Sequence, residues 1–380
     1  MSDSDNKSSR ARYIMIGGFL GAGKTTSVAK LAQHLSDQGR KVGLITNDQG
    51  SELVDTAMLR SRGYATEEIS GGCFCCRFNS LVDAAKNLTD KTRPDTFIAE
   101  PVGSCTDLVA TVTYPLRRMY GGNFSIAPLS VLVDPIRAQR VLGLAEGGNF
   151  SEKVIYIYRK QLEEADIIVI NKTDLLDAGA LSALQFALRK NFPHAEIIRV
   201  SARGGEGVEE WFAKITDAEQ VARRVMEVDY EVYAEGEALL GWLNATVNIT
   251  ATEDFEAAAV MKALGNTVRD KLVAQSAEIA HFKMTFSPDT GFAETGVVNL
   301  VRSDYVPELS QDLEEPTAGG QLILNLRAEA DPDLLADSVV AGVSSLTQTF
   351  PGMSANMDHL EHFKPGKPTP THRDSAVEVT

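Results

Sequence analysis

Cysteine is scarce in this chain, with four among 380 residues. That excludes a disulfide-stapled scaffold, which needs paired cysteines at high density. Positive charge is also short: 37 Lys and Arg stand against 52 Asp and Glu, for a formal net charge of -15. A balance of that sign argues against nucleic acid as a partner, because phosphate binding needs a basic face. No run of about 18 consecutive apolar residues occurs, so neither a membrane span nor a membrane partner is expected. The start, Met1 to Lys7, is polar and partly acidic, unlike the basic opening of a signal peptide. The expected location is therefore the cytoplasm. The remaining composition is ordinary, 43% apolar and 23% charged, which allows each of two domains its own core.

Residues 1–11 read as a disordered leader. From Arg12 to about Trp211, short apolar runs alternate with helical patterns, the mark of an α/β domain with a mostly parallel sheet, assigned to 12–225. The runs are Tyr13–Ile16, Val42–Thr46, Thr96–Ala99, Leu129–Val133, Ile167–Ile170 and Ile197–Val200. The pattern changes past residue 230. Leu243–Thr250 alternates apolar and polar, a strand with one dry and one wet face. A helix with Val260, Met261, Leu264 and Val268 on its inner side follows, then strand-like stretches at Ile279–Phe286, Phe292–Leu300 and Gln321–Ala328, and a helix near Leu334–Thr347. That order, βαβββα, predicts a smaller α+β domain of ferredoxin-like character over 230–363. The acidic stretch 304–316 reads as a loop and the Pro-rich 364–380 as a disordered tail.

Between the first two runs lies Gly18-Phe19-Leu20-Gly21-Ala22-Gly23-Lys24-Thr25, a full G-x4-G-K-[ST] phosphate loop between a strand and a helix. Its backbone N–H groups, with Gly21, Ala22 and Gly23 at the turn, would wrap phosphates. Lys24 would neutralise β- and γ-phosphate oxygens, and the Thr25 hydroxyl would bind magnesium. Asn171-Lys172-Thr173-Asp174 directly follows the run Ile167–Ile170. A carboxylate at Asp174 can accept from N1 and N2 of guanine, a donor pair that adenine lacks. Asn171 would fix the loop, the Lys172 stem would lie on the ring, and Ser201-Ala202 would close over it. The expected nucleotide is GTP.

Two further strand ends point at the same place, since α/β sheets bind ligands at the carboxyl ends of their strands. Val42–Thr46 delivers Asn47-Asp48-Gln49-Gly50, and Thr96–Ala99 delivers Glu100-Pro101-Val102-Gly103. Asp48 is the candidate for positioning water or hydrated magnesium. Glu100 is the candidate for the magnesium shell, and the Gly103 N–H for the γ-phosphate.

All four cysteines fall between positions 73 and 105: Cys73, Cys75, Cys76 and Cys105. Burial alone gives no reason for a C-x-C-C spacing, whereas thiolates are soft ligands that suit zinc, cobalt or cuprous copper. Three on one loop make a tetrahedral site with Cys105, Glu100, a histidine or water as the fourth ligand. A thiol redox role is the alternative.

Together these motifs resemble the CobW-type GTPases, relatives of the metal-insertion GTPases for urease and hydrogenase. The run from Gly18 to Thr26, the switch at 47–50, the G-G-C-x-C-C at 71–76, the E-x-x-G at 100–103 and the N-K-T-D at 171–174 carry the resemblance. Val133-Asp134, Gln161 and Ser201-Ala202 are smaller echoes. The resemblance implies a GTP-hydrolysing metallochaperone, with Lys24, Asp48 and Glu100 in catalysis. It also implies zinc or cobalt at the cysteine loop and delivery to a client metalloenzyme, and it is compatible with a nucleotide-dependent homodimer. A maturation factor for a corrinoid or metal-dependent enzyme is the rival within that class. The chain departs from the family in having Asp48 where Glu is usual, Pro101-Val102 after Glu100, and no histidine-rich tract.

The lesser signals read as structural. His359 and His362, spaced i, i+3, would share a helix face, but beside a Pro-rich tail they are taken as surface residues. His281 alternates with Lys283 and Thr285 on the polar face of its strand and is expected to be exposed. Trp211 and Trp242 are expected to pack in the core.

Overall fold

The computed structural model describes residues 10–47, 59, 63–289 and 295–375. The chain builds two sheets, one after the other. The first has eight strands: β1 (Ala11–Gly18), β2 (Val42–Asn47), β3 (Ala65–Ile69), β4 (Thr96–Glu100), β5 (Phe124–Ile126), β6 (Ser130–Val133), β7 (Ile167–Ile170) and β8 (Glu196–Arg199). They run parallel in the order β3-β2-β4-β1-β6-β7-β8, with β5 paired beside β1. β1 is buried from Arg12 onward, which accounts for its unbroken apolar run rather than an alternating one. Helix α1 (Lys24–Asp37) buries Val28, Leu31, Ala32 and Leu35. That face is the one its 3.6-residue period predicts.

All six runs read from the sequence of this domain are strands. β3 and β5 were not anticipated: β3, Ala-Thr-Glu-Glu-Ile, is an edge strand with a polar composition, and β5 has three residues. The strand β1 also opens two residues before the run Tyr13–Ile16, with Ala11 paired to Phe124.

The second sheet is antiparallel: β9 (Leu240–Phe255), β10 (Glu278–Pro288), β11 (Gly296–Leu300), β12 (Glu308–Gln311), β13 (Thr317–Glu329) and β14 (Met353–Phe363), in the order β12-β11-β10-β13-β9-β14. Helices Ala257–Ala274 and Pro332–Thr349 pack together and on one face, burying Leu243, Val247, Leu324, Leu326, Phe282 and Met284. The four strands β10-β13-β9-β14 with these helices have the ferredoxin-like order, and β11 and β12 extend it at the β10 edge. The segment read as an acidic loop thus contains β12.

Strand β14 was not expected, and it changes the histidine reading. His359 and His362 lie on a strand, where residues three apart point to opposite faces, and His362 Nδ1 is 3.3 Å from Asp333. The second sheet's other face is only partly open to water, with Asn248, Thr250 and Gln321 exposed at one end. Trp242 and Ala280 join the core of the first domain. Both tryptophans are buried as expected.

Residues 364–375, read as part of a disordered tail, run back over the first domain. Thr371 donates its N–H to the Cys75 carbonyl (2.8 Å), Asp374 N–H bonds the Ala110 carbonyl (2.8 Å), and Arg373 pairs with buried Asp107 (2.7 Å). Among the described residues no helix is long and apolar enough to cross a membrane.

Candidate nucleotide site and cysteine centre

The carboxyl ends of β1, β2, β4 and β7 converge on a cavity of about 300 Å³ at the interface of the two sheets. The phosphate loop is already folded in a cradle. Lys24 Nζ donates to the Gly18 carbonyl at 2.9 Å, and the Thr25 hydroxyl donates to Glu100 Oε1 at 2.9 Å. Gly21, Gly23, Thr26, Glu100 and Gly103 line the same cavity. Gly23 has φ +95, and a Cβ there would stand 2.4 Å from Asn171 Nδ2. A side chain at Gly103 would stand 2.6 Å from Leu20 Cδ2. Both glycines permit loops to close on one another, and a side chain at either would force them apart.

The second loop meets the first through side chains. Asn171 Nδ2 donates to the Ala22 carbonyl (2.9 Å), and its Oδ1 accepts from the Ala202 N–H (3.0 Å). Lys172 donates to the Gly21 carbonyl (2.8 Å) and pairs with Asp134 (2.9 Å). Ser201 Oγ donates to Asp174 Oδ1 at 2.7 Å. Burial opposes the charge of Asp134, but Lys172, Arg137 and Arg302 outweigh it and hold that carboxyl down at about 2. Asp48, Gln49 and Gly50 lie outside the described residues.

The thiols form one group. Cys73 Sγ lies 2.8 Å from Cys75 Sγ and 3.2 Å from Cys76 Sγ, and Cys75 and Cys76 are 3.7 Å apart. Cys73, Cys75 and Cys76 fit a common ion, and all four cysteines are unpaired by disulfides. Cys105 is buried nearby, outside the group of three whose sulfurs share one ligand sphere. Glu100, the other candidate for a fourth ligand, is turned instead to Thr25.

Hydrogen bonds from Cys105, Cys75 and Cys76 pull Cys73 well below an ordinary thiol. The same bonds raise its neighbours. Cys75 rises by its bonds to Cys73 and Cys76 and by burial, Cys105 chiefly by burial, and Cys76 is pushed up to about 11, chiefly by its bond to Cys73. Within the cluster Cys73 is thus the thiol most inclined to lose its proton. Buried Glu237, beside Ser104, is pushed up to about 8 by burial and by the charge of Cys73.

Short paths join this cluster to the cavity. Asn47, at the end of β2 and lining the cavity, donates from Nδ2 to the Ile69 carbonyl (2.9 Å) and the Gly72 carbonyl (2.7 Å). Gln161 Nε2 donates to the carbonyls of Gly103 (2.9 Å) and Cys105 (2.8 Å). Thr369 N–H reaches Cys76 Sγ at 3.2 Å, so the returning tail touches the thiols directly.

The second sheet contributes to the cavity with residues that the sequence reading set aside. His281 is 7% exposed rather than solvated, because the polar face of β10 packs on the first domain. Burial, together with Lys283, Arg327, Lys24 and Arg137, holds it well below an ordinary imidazole, so it is neutral. Lys283 Nζ is 3.3 Å from Thr25 Oγ1. The alternation His281-Lys283-Thr285 identified one common face for them. It carried no sign of what covers that face.

Residues 12–199 match the family described as CobW/HypB/UreG, nucleotide-binding domain. The chain is 32% identical over 194 residues to a protein named zinc chaperone CobW from Sinorhizobium sp, covering 45% of this chain and 53% of that protein. It is 32% identical over 190 residues to the zinc chaperone YeiR of Escherichia coli (strain K12), covering 49% and 54% respectively. To the hydrogenase maturation factor HypB of Azotobacter vinelandii it is 30% identical over 216 residues, covering 54% and 62%. The chain thus spans about half the length of the first two and 62% of the third.

Proposed function

Since its amino-terminal domain belongs to the CobW/HypB/UreG nucleotide-binding family, we propose that this chain is a GTP-hydrolysing metallochaperone. It binds zinc or cobalt at Cys73, Cys75 and Cys76, with Cys105 as a further thiol, and delivers the metal to a client protein. Lys24 and the phosphate loop take the phosphates, Asp174 reads guanine, and Thr25 with Glu100 provides oxygen ligands of the kind magnesium takes. Asp48 is proposed for water positioning. The donors fit the two cations: Thr25 and Glu100 offer hard oxygens, and the loop offers soft sulfur. Naming of two relatives as zinc chaperones supports zinc first.

One observation carries the reading. Three thiols share one ligand sphere, and Asn47 ties their loop to a strand end that lines the phosphate cavity. Nucleotide that orders the end of β2 therefore changes the geometry of the thiol loop, and linkage requires metal to change nucleotide affinity in return. Titrating GTP against the protein with and without zinc tests this. The expected result is a several-fold difference in affinity, and identical curves would sink the coupling. The redox alternative predicts a reversible disulfide on mild oxidation and no metal adduct by native mass spectrometry.

A further inference from the structure

The domain that follows the phosphate-binding domain turns a sheet face towards the cavity and contributes Lys283 and Arg327 to it, and the cavity as a whole is cationic. Lys24, Lys30, Lys172, Arg203, Lys283 and Arg327 line the cavity, against Glu100 and Glu308 as its carboxylates. In a chain of net charge -15 this is a local reversal of sign. Its distribution is uneven. Lys30 donates to the Arg203 carbonyl, Arg203 pairs with Glu308, and Lys172 holds Asp134, all towards the base-binding loops. Lys24 and Lys283 stand at the other end, beside Thr25, and Lys283 comes from β10 of the second sheet.

We propose that Lys283 is the second cation of the phosphate site, supplied by the second domain in cis to the γ-phosphate of bound GTP. This rests on the reading of the cavity as a GTP site. Its ammonium sits 3.3 Å from the Thr25 hydroxyl, at the amino end of α1, where the phosphate loop directs its charge. His281, two residues earlier on the same strand, lines the same cavity, and its Nε2 has no hydrogen-bond partner among the described residues. A buried neutral imidazole with an unused nitrogen beside two lysines fits a site completed by an anionic, hydrogen-bonding ligand.

The strand that carries Lys283 is fixed to the phosphate loop by Arg137. That fully buried guanidinium donates to the Leu20 carbonyl (2.6 Å) on one side and to the carbonyls of Ile279 (3.2 Å), Ala280 (3.4 Å) and Val301 (2.6 Å) on the other. Gly21 adds a close approach, since a Cβ there would meet the Ala280 oxygen at 3.0 Å. Lys283 is thereby held in register with Thr25.

Phosphoryl transfer is accelerated by positioning and by charge, and a second cation delivered in cis or in trans recurs among nucleotide hydrolases. In the step considered, the oxygen of water bonds to the γ-phosphorus and the bond to the β–γ bridging oxygen breaks. The electron pair remains on that oxygen, and the proton of water passes to phosphate or solvent. Lys283 neither gives nor takes a proton. It offsets the charge that builds on the oxygens between the β- and γ-phosphorus.

The experiment is single-turnover GTP hydrolysis by the full chain, with binding of a non-hydrolysable GTP analogue and of GDP measured alongside. It compares the unmodified protein with Lys283→Met and Lys283→Arg, after melting curves verify folding. The expected result is a fall of about a hundredfold in the hydrolysis rate of Lys283→Met. Its binding of the GTP analogue weakens while GDP binding is unchanged, and Lys283→Arg recovers part of the rate. Equal rates and equal analogue binding in Lys283→Met overturn the proposal. A faster Lys283→Met, which would mark the ammonium as an obstruction, also overturns it. Failure of the unmodified protein to bind GTP overturns the functional reading itself and this inference with it.

Discussion

The side-chain amide of Asn47 donates to the carbonyl of Gly72 at 2.7 Å, so the last residue of β2 holds the first turn of the cysteine loop. The bond crosses from a strand of the nucleotide cavity to the run that carries Cys73, Cys75 and Cys76. Asn47→Ala removes it and leaves the phosphate loop and the thiols intact. In the unmodified protein GTP is expected to shift zinc affinity by a factor of about 5–150. In Asn47→Ala that factor falls towards one. Zinc titration with and without a GTP analogue measures it, and an undiminished factor would show that coupling takes another route.

Metal binding at the thiols is expected to release protons. Only Cys73 is pulled down, whereas Cys75, Cys76 and Cys105 are raised, so a dication must displace protons from the ligands that are still thiols. Zinc affinity therefore rises with pH, by about tenfold per unit for each proton displaced. Calorimetry in buffers of different ionisation enthalpy counts those protons. Cys73→Ser removes the thiol whose ionisation its neighbours favour and should cost the most affinity of the single changes.

Guanine selectivity is expected to reside in Asp174. A hydrogen bond to a charged group contributes about 1.5–3 kcal/mol. Asp174→Ala should weaken GTP by about ten- to a hundredfold and leave ATP unaffected. Ser201→Ala, which removes the 2.7 Å bond that orients the carboxylate and the 3.0 Å bond from the Gly204 N–H, should have a smaller effect in the same direction. Competition binding with the two nucleotides gives both numbers.

Glu237 provides a pH signature of stability. Its folded value of about 8 lies above the ordinary 4.5, with burial as the leading cause. A carboxyl raised in this way favours the folded state fully below about pH 4.5, and that contribution is lost as pH rises through about 8. Glu237→Gln keeps the size and shape of the side chain without the charge. Its melting temperature should match the unmodified protein at low pH and exceed it above pH 8. Parallel melting curves across pH would refute the assignment.

The first domain was legible because its signals are local. A phosphate loop, a guanine loop and a C-x-C-C run each declare themselves within a few residues, and the buried parallel strands are continuous apolar words. What escaped depends on partners remote in sequence. The segment Met353–Phe363 alternates apolar and polar only over Met353–Asp358 and slips at His359, where its pairing with β9 shifts register, so its pattern is shorter than the one that identified β9. Lys283 and His281 were assigned to a common face by their period, but a period cannot tell water from a neighbouring domain. The tail Pro365 to Asp374 has the composition of disorder. It is ordered by bonds to the backbone of Cys75, Cys76 and Ala110, by the pairs Arg373–Asp107 and Arg118–Asp374, and by burial of Pro365 and Pro368, all against partners remote in sequence.

Arg137 grips the second domain by three peptide oxygens, those of Ile279, Ala280 and Val301. Every residue type offers the same oxygen, so the latch is indifferent to which side chains stand at those positions. The outer surface of the second domain can thereby change in sequence while its seat on the phosphate loop stays the same.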